Sequence, residues 1–217
     1  MVQAVNAMNP VGQRPNSFTL VELLVAIAIA TILIGLSVPA FVKISQSSIL
    51  TTTTNQVIDQ LNFARQEAST LNQEVEVRFY SLPAPNNSAA NIYRGMQSFS
   101  LNLSSSPATT NALTMAIYFP TPVQLASSTT FSSLLDNTQV GTYSGTGTSA
   151  RFALPSVGFN YSYTGFRYKA DGSTTFTSPL CVTLHLVNSP PVGNTLPKNW
   201  ATVQIDPLSG RVQTFRP

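Results

Sequence analysis

Between Leu23 and Val42 the chain has no charged side chain, a run of 20 residues (42 − 23 + 1) rich in Leu, Ile, Val and Ala. As a helix rising ~1.5 Å per residue, such a run reaches ~30 Å, the thickness of the hydrocarbon core of a bilayer. It lies near the N-terminus, where a cleaved secretory signal would lie. It is longer than the usual apolar region of such a signal, and no A-x-A site follows it. Glu22 abuts the run, between Val21 and Leu23. A carboxylate at membrane depth is costly unless it is paired or neutralised. The next 20 residues offer no cation. The partner must therefore come from another molecule, or from a new N-terminus made by cutting the chain just before Phe18.

The rest of the composition excludes several classes of function. Only 19 of 217 residues carry charge, 9%, against roughly 25% in an ordinary soluble domain. That dilution suits a membrane-associated, exported or assembling chain. A net charge of +3 gives no concentrated basic surface of the kind nucleic-acid domains present. One Cys excludes an internal disulfide framework and one His a multi-His metal centre.

The residues around Glu22 carry a resemblance. Ser17-Phe18-Thr19-Leu20-Val21-Glu22-Leu23-Leu24-Val25-Ala26-Ile27 resembles the prepilin-type cleavage and methylation segment of type IV pilins and type II secretion pseudopilins. The resemblance implies a cut between Ser17 and Phe18, N-methylation of the new amino group, and Glu22 as the assembly residue at mature position five (22 − 17). Pro39 falls at mature position 22 (39 − 17), where the family often has a helix-kinking proline. Ser17 departs from the usual glycine, but is still small enough for a tight protease subsite. The implied partners are the prepilin peptidase/methyltransferase, other pilin or pseudopilin subunits, and the inner membrane. The implied location is the bacterial inner membrane, crossed once, with the C-terminal head in the periplasm or on an extracellular filament. Arg14 and the initial amine put positive charge on the leader, the side that the positive-inside rule keeps in the cytoplasm.

Beyond Lys43 the helical signal persists. Val57, Leu61, Ala64, Ala68 and Leu71 recur at spacings of four and three, an amphipathic stripe. One helix is expected from Phe18 to Leu71, which either runs through or breaks between Gly35 and Asn55, where Pro39 and the β-branched run Thr51–Thr54 disfavour it. At Glu74 the period changes to two, and Glu74–Tyr80 reads as a half-buried strand. Further strands are expected at 97–103, 113–119, 151–154, 165–168, 180–187, 201–205 and 211–215. Residues 82–95 read as a loop, and the Ser/Thr/Gly-rich 127–150 as a long loop or excursion. The expected class is α+β: a long N-terminal helix, its first half membrane-spanning, packed on an antiparallel β-sheet head of the pilin-like kind. The organisation is a cleaved leader at 1–17, a transmembrane and assembly helix at 18–42, an amphipathic continuation at 43–72, and a head at 73–217.

Two further stretches point within the family. Leu61–Ala68 followed by Val75-Glu76-Val77, and the closing Ile205-Asp206-Pro207-Leu208-Ser209-Gly210-Arg211-Val212, are similar to the minor pseudopilin H group, which includes the FimT-type minor pilins. The chain also resembles the D member of the Verru_Chthon cassette of pilin-like proteins. Some FimT-type pilins bind DNA through C-terminal arginines, so the resemblance keeps DNA open as a partner through Arg211 and Arg216. The five-residue separation (216 − 211) puts those two on opposite faces of a regular strand.

No catalytic, metal or cofactor site is expected. His185 has no acid or base beside it in sequence to build a triad, and reads as a polar residue on a strand face. Cys181 has no basic neighbour to activate it. Gly145-Thr146-Gly147-Thr148-Ser149-Ala150 matches a loose dinucleotide-loop pattern, but lies in a Ser/Thr/Gly stretch with no helix expected after it. The expected function is structural, that of a filament subunit; the alternative is a filament-tip binding module of the same fold.

Overall fold

The computed structural model describes residues 18–84, 87–104, 109–136, 138, 140–150 and 152–217, with the side chains of 36–40 and 87–89 left out. The expected leader at 1–17, with Ser17 in it, lies outside the described residues, as do the Pro39 side chain and Arg151. The chain divides into two units, the boundary falling between Lys43 and Ile44.

Helix α1 spans Leu20–Leu71 without interruption, so of the two alternatives the helix runs through. The threonine run survives because its hydroxyls turn back on the preceding turn. Thr51 donates to the Ser47 carbonyl at 3.0 Å, Thr53 to Ile49 at 2.8 Å and Thr54 to Leu50 at 2.7 Å. Such back-bonding satisfies a β-branched hydroxyl inside a helix. The helix stops at Asn72, which adopts a left-handed φ of 51°. The Gln73 amide then returns to the Ala68 carbonyl at 3.2 Å, the six-to-one bond of a Schellman cap.

In the first unit, every side chain described from Phe18 to Gly35 is exposed. Among the described residues no helix is long and apolar enough to cross a membrane.

The second unit is the α+β head. Its strands are β1 (Glu74–Ala84), β2 (Asn87–Asn102), β3 (Thr109–Ala112), β4 (Ile117–Tyr118), β5 (Val123–Leu125), β6 (Thr142–Thr146), β7 (Ser162–Tyr168), β8 (Leu180–Leu186), β9 (Trp200–Ile205) and β10 (Val212–Phe215). A short 3-10 turn covers Ser133–Leu135, and a one-turn helix α2 covers Gly147–Ala150. One sheet has the order β3-β2-β1-β7-β6, with β4 also on β2; the other has β10-β9-β8-β5. Every pairing is antiparallel.

Several expectations fail for identifiable reasons. The expected loop at 82–95 is largely the end of β1 and the start of β2. Register shifts at Tyr80/Ser81 and Pro83/Ala84 let the strands continue. Pairing with β7 ends at Ser81, so Pro83 has a ladder on one side only, where a missing N–H is tolerated. The expected strand at 113–119 shrinks to Ile117–Tyr118, and at 151–154 only Leu154 makes a bridge, to Gly158. The stretch 127–150, expected as a loop, contains β6 and α2.

The main core joins α1 to both sheets. Leu50, Val57, Leu61, Ala64 and Ala68 of the helix meet Val75, Val77, Phe79, Met96 and Phe166 of one sheet and Val182, Leu184, Val203 and Ile205 of the other. From Val57 to Ala68 the helix stripe read from sequence is thus the packing face, whereas Leu71, its last member, is exposed. Gln60 adds a polar tie, donating to the hydroxyls of Ser98 and Thr114, each at 2.9 Å. A second cluster covers the opposite face of the β1 sheet, with Tyr80, Leu82, Phe99, Leu154 and Tyr161 buried in it. β1 is therefore buried on both faces, not half-buried.

Candidate functional site

At the head of α1, Thr19-Leu20-Val21-Glu22 forms the first turn. The Glu22 amide donates to Thr19 Oγ1 at 3.2 Å, and Thr19 Oγ1 lies 3.5 Å from Glu22 Oε2. The Leu23 amide closes the turn on the Thr19 carbonyl at 3.2 Å. A threonine at the cap with a glutamate three residues on is the capping-box pattern. It places the Glu22 carboxylate in the first turn, where the unpaired amides carry about half a positive charge. Glu22 thus has a local stabiliser besides any external cation. The T-x-x-E spacing before an apolar run was a readable signal for this role.

The densest charge cluster in the head lies on the outer face of the β1 sheet. Glu76 and Arg78 alternate along β1, and register sets Glu76 opposite Arg167 of β7. Glu76 Oε1 accepts from Arg78 Nε at 2.5 Å and Oε2 from Arg167 Nε at 2.9 Å; Arg167 Nη1 also reaches Glu74 at 3.3 Å. The Glu76 and Arg78 side chains are only 4% and 6% exposed. The Arg78 guanidinium lies between Phe99 and Tyr163, 4.3 and 4.5 Å from the ring centroids, and Arg167 lies 3.9 Å from that of Tyr143. Burial works most strongly against the Arg167 charge, but Glu76, Tyr143 and Glu74 together outweigh it and hold the pKa above its ordinary value. Burial also pushes the Tyr80 hydroxyl well above the usual phenol range. Two carboxylates against two guanidiniums make a neutral network that ties β1 to β7. The alternation at Glu74–Tyr80 predicts a half-buried strand; the aromatics that cover its polar side, Phe99, Tyr143, Tyr161 and Tyr163, lie far along the sequence.

The C-terminal arginines are not brought together. Arg211 precedes β10 and Arg216 follows it, and β10 pairs with β9 in unbroken register. Five residues of extended chain separate them by ~17 Å. Arg216 Nη1 donates to Thr51 Oγ1 of α1 at 2.8 Å. The hairpin between β9 and β10 is held by Asp206, whose Oδ1 accepts from the Ser209 amide at 2.7 Å, its hydroxyl at 2.8 Å and the Leu208 amide at 3.1 Å. Those bonds, the Ser209 amide first, lower the Asp206 pKa.

Residues 13–38 match the family model described as the prokaryotic N-terminal methylation motif. The chain carries a prepilin-type N-terminal motif. It covers 26 of the 217 residues (38 − 13 + 1) and includes Ser17, Phe18 and Glu22. The prepilin-type motif supports a pilin-like precursor, processed by a prepilin peptidase and assembled with other pilin subunits. Searches of the curated proteins and of the solved structures give no match to the chain.

Outside the prepilin-type motif, the residues weighed for chemistry have structural surroundings. His185 is 1% exposed. Its Nδ1 lies 2.8 Å from the Leu186 carbonyl oxygen and its Nε2 3.4 Å from Gln124 Nε2. Desolvation lowers its pKa. Desolvation likewise raises that of the half-buried Cys181 thiol, the direction that reduces thiolate reactivity. The glycine pattern at 145–150 does open a helix, the single turn α2, contrary to expectation. Its glycines make room for tyrosines rather than phosphate. A Cβ on Gly147 would stand 2.6 Å from the Tyr161 ring, and one on Gly145 2.8 Å from the Tyr163 hydroxyl. Among the described residues no group of three or more His, Cys, Asp or Glu is placed to hold a metal.

Proposed function

We propose that this chain is a structural, non-enzymatic subunit of a type IV pilus-like or type II secretion pseudopilus fibre. On this reading it is a minor component, akin to the pseudopilin H and FimT-type group. It is cut between Ser17 and Phe18, N-methylated on Phe18, and held in the inner membrane by one span until it joins the fibre. The observation that carries the reading is the prepilin-type motif at residues 13–38 at the head of a helix whose apolar side chains are exposed. Leu20, Val21, Leu24 and Ile32 are 79%, 69%, 61% and 64% accessible. A continuous apolar surface of that kind marks a buried interface in the working state. In a lipid or helix-bundle setting, close packing and paired polar groups hold such helices together. Glu22, already set in the first helical turn, presents its carboxylate to the methylated amine of a neighbour and fixes axial register.

The test is N-terminal sequencing of the exported protein together with a Glu22→Ala variant. The mature chain is expected to begin at N-methylated Phe18. The variant is expected to insert in the membrane and be processed, yet stay out of the fibre fraction. A mature N-terminus elsewhere refutes the processing, and normal fibre incorporation of Glu22→Ala refutes the register role.

A further inference from the structure

An open groove of about 540 Å³ lies between α1 and the turn that follows β7, lined by Asn62, Arg65, Gln66, Ser69, Thr70, Asp171 and Gly172. The helix residues recur at spacings of three and four, so they form one face of α1. No described hydrogen bond or ion pair engages the side chains of Asn62, Arg65 or Gln66. Asp171 commits only Oδ1, to the Ser173 amide at 2.9 Å and hydroxyl at 2.6 Å. Close by, the buried Tyr168 hydroxyl also lacks a hydrogen-bond partner among the described residues. A Cβ on Gly210 would stand 2.9 Å from the Tyr168 ring and 3.2 Å from Arg65 Cδ, so both side chains flank the Gly210 turn.

The groove is shaped by two turns that back onto each other. Gly172 and Gly210 both have positive φ, 81° and 61°. A Cβ on Gly210 would stand 2.2 Å from the Gly172 carbonyl oxygen. The Thr174 amide and the Pro207 carbonyl bind the turns together at 3.0 Å. The wall opposite α1 is therefore fixed backbone rather than a loose loop, and the polar groups face a preformed space.

The lining selects a ligand class. It holds no aliphatic or aromatic side chain, whereas protein interface cores are enriched in aromatics and drug-like pockets are mostly apolar. It holds one guanidinium and one carboxylate, whereas binding a nucleic-acid backbone needs several cations to neutralise phosphates. What remains is a balanced set of donors and acceptors: a guanidinium, two carboxamides, two hydroxyls and a carboxylate. Hydroxyl groups of a sugar, each both donor and acceptor, are the complement of that set. We propose that the Asn62–Arg65–Gln66–Asp171 groove binds a short, hydroxyl-rich saccharide. Arg65 and the carboxamides of Asn62 and Gln66 donate to ring and hydroxyl oxygens, and Asp171 Oδ2 accepts from a hydroxyl. This site is independent of the N-terminal assembly segment.

The test is saturation-transfer NMR on the full chain in detergent. The probes are defined di- to tetrasaccharides in neutral, amino and uronate series, with a DNA duplex as a separate arm. At least one saccharide series is expected to bind. Arg65→Ala and Gln66→Ala are expected to weaken it about tenfold or more, the scale of losing a hydrogen bond to a charged or buried partner. Lys198→Ala, on an exposed residue outside the groove, should leave it unchanged, and thermal melts should confirm that all variants stay folded. If no series binds, if binding survives both groove substitutions, or if only the duplex binds with steep salt dependence, the assignment falls.

Discussion

Replacing Glu76 with Gln tests whether the outer face of the β1 sheet is held by its charges or merely by its aromatic cover. In the native head the Glu76 carboxylate serves two guanidiniums at once, Arg78 at 2.5 Å and Arg167 at 2.9 Å. The two positive groups are not equivalent. Arg167 is 22% exposed and keeps Glu74 as a second partner at 3.3 Å, so it recovers part of the loss. Arg78 is 6% exposed, and its Nη1 already has no hydrogen-bond partner among the described residues. After Glu76→Gln, Arg78 would be a buried charge stacked between Phe99 and Tyr163 with no counter-ion. Breaking one partner of a buried pair costs about 3–5 kcal/mol, because the other charge remains desolvated. For a chain of this size each kcal/mol moves the melting midpoint by about 2–4 °C, so a fall of about 6–20 °C is expected. The assay is near-UV circular dichroism of the full chain in detergent at neutral pH, which follows the tyrosines packed around the pair. The double variant Glu76→Leu/Arg78→Met should lose less than Glu76→Gln alone, since it leaves no orphan charge. A Glu76→Gln shift below about 2 °C, or a double variant worse than the single, would refute the view that Arg78 depends on Glu76.

Three further outcomes are expected. Gly165→Ala puts a Cβ 2.2 Å from the Val77 carbonyl oxygen, where only backbone movement relieves it. A loss of at least about 1–3 kcal/mol is expected in denaturant melts, and a neutral result would mean that β1 and β7 approach less closely than described. Thr19→Val removes the cap hydroxyl and should cost the first turn of α1 about 1 kcal/mol, read as faster amide exchange at Glu22 and Leu23; unchanged exchange would count against the capping box. His185, whose pKa burial lowers from 6.5, binds protons more readily unfolded than folded. Its stabilising effect is therefore complete above about pH 6.5 and declines as pH falls toward its lower folded pKa. His185→Gln should flatten that part of the stability–pH curve, and an unchanged slope would assign it to other groups.

The N-terminal half of the chain was legible because its signals are local. The uncharged run, Glu22 beside it and the Val57–Leu71 stripe each lie within a few helical turns, and the helix and its packing face are where those patterns put them. The uninterrupted passage through Thr51–Thr54 was not legible from propensity, because it depends on where three hydroxyls donate. In the head, strands with strong alternation were found, and those with short or polar sequences, such as Val123–Leu125 and Thr142–Thr146, were missed. Their strand character comes from the neighbours they pair with rather than from their own residues. The Glu76–Arg78–Arg167 network was hidden for the same reason: Arg167 lies 91 positions from Glu76 (167 − 76). The cap at Thr19-x-x-Glu22 is local too: its two residues stand three apart and meet through the Glu22 amide and Thr19 Oγ1.

The pairing of β1 with β7 also imposes a schedule. β2 follows β1 directly and can cover one edge at once, but the other edge must wait for Ser162–Tyr168. From Ser81 to Ser162 the chain grows by 81 residues (162 − 81). At about 5–20 residues per second that is about 4–16 s during which a long strand, apolar on one side and bearing on the other a Glu76–Arg78 pair still without Arg167, lies open along one edge. An open strand edge of this length is a template for pairing with other chains. Each newly made copy thus passes through an interval in which it is prone to self-association, and a helper that shields strand edges would act within those seconds rather than after the head is complete.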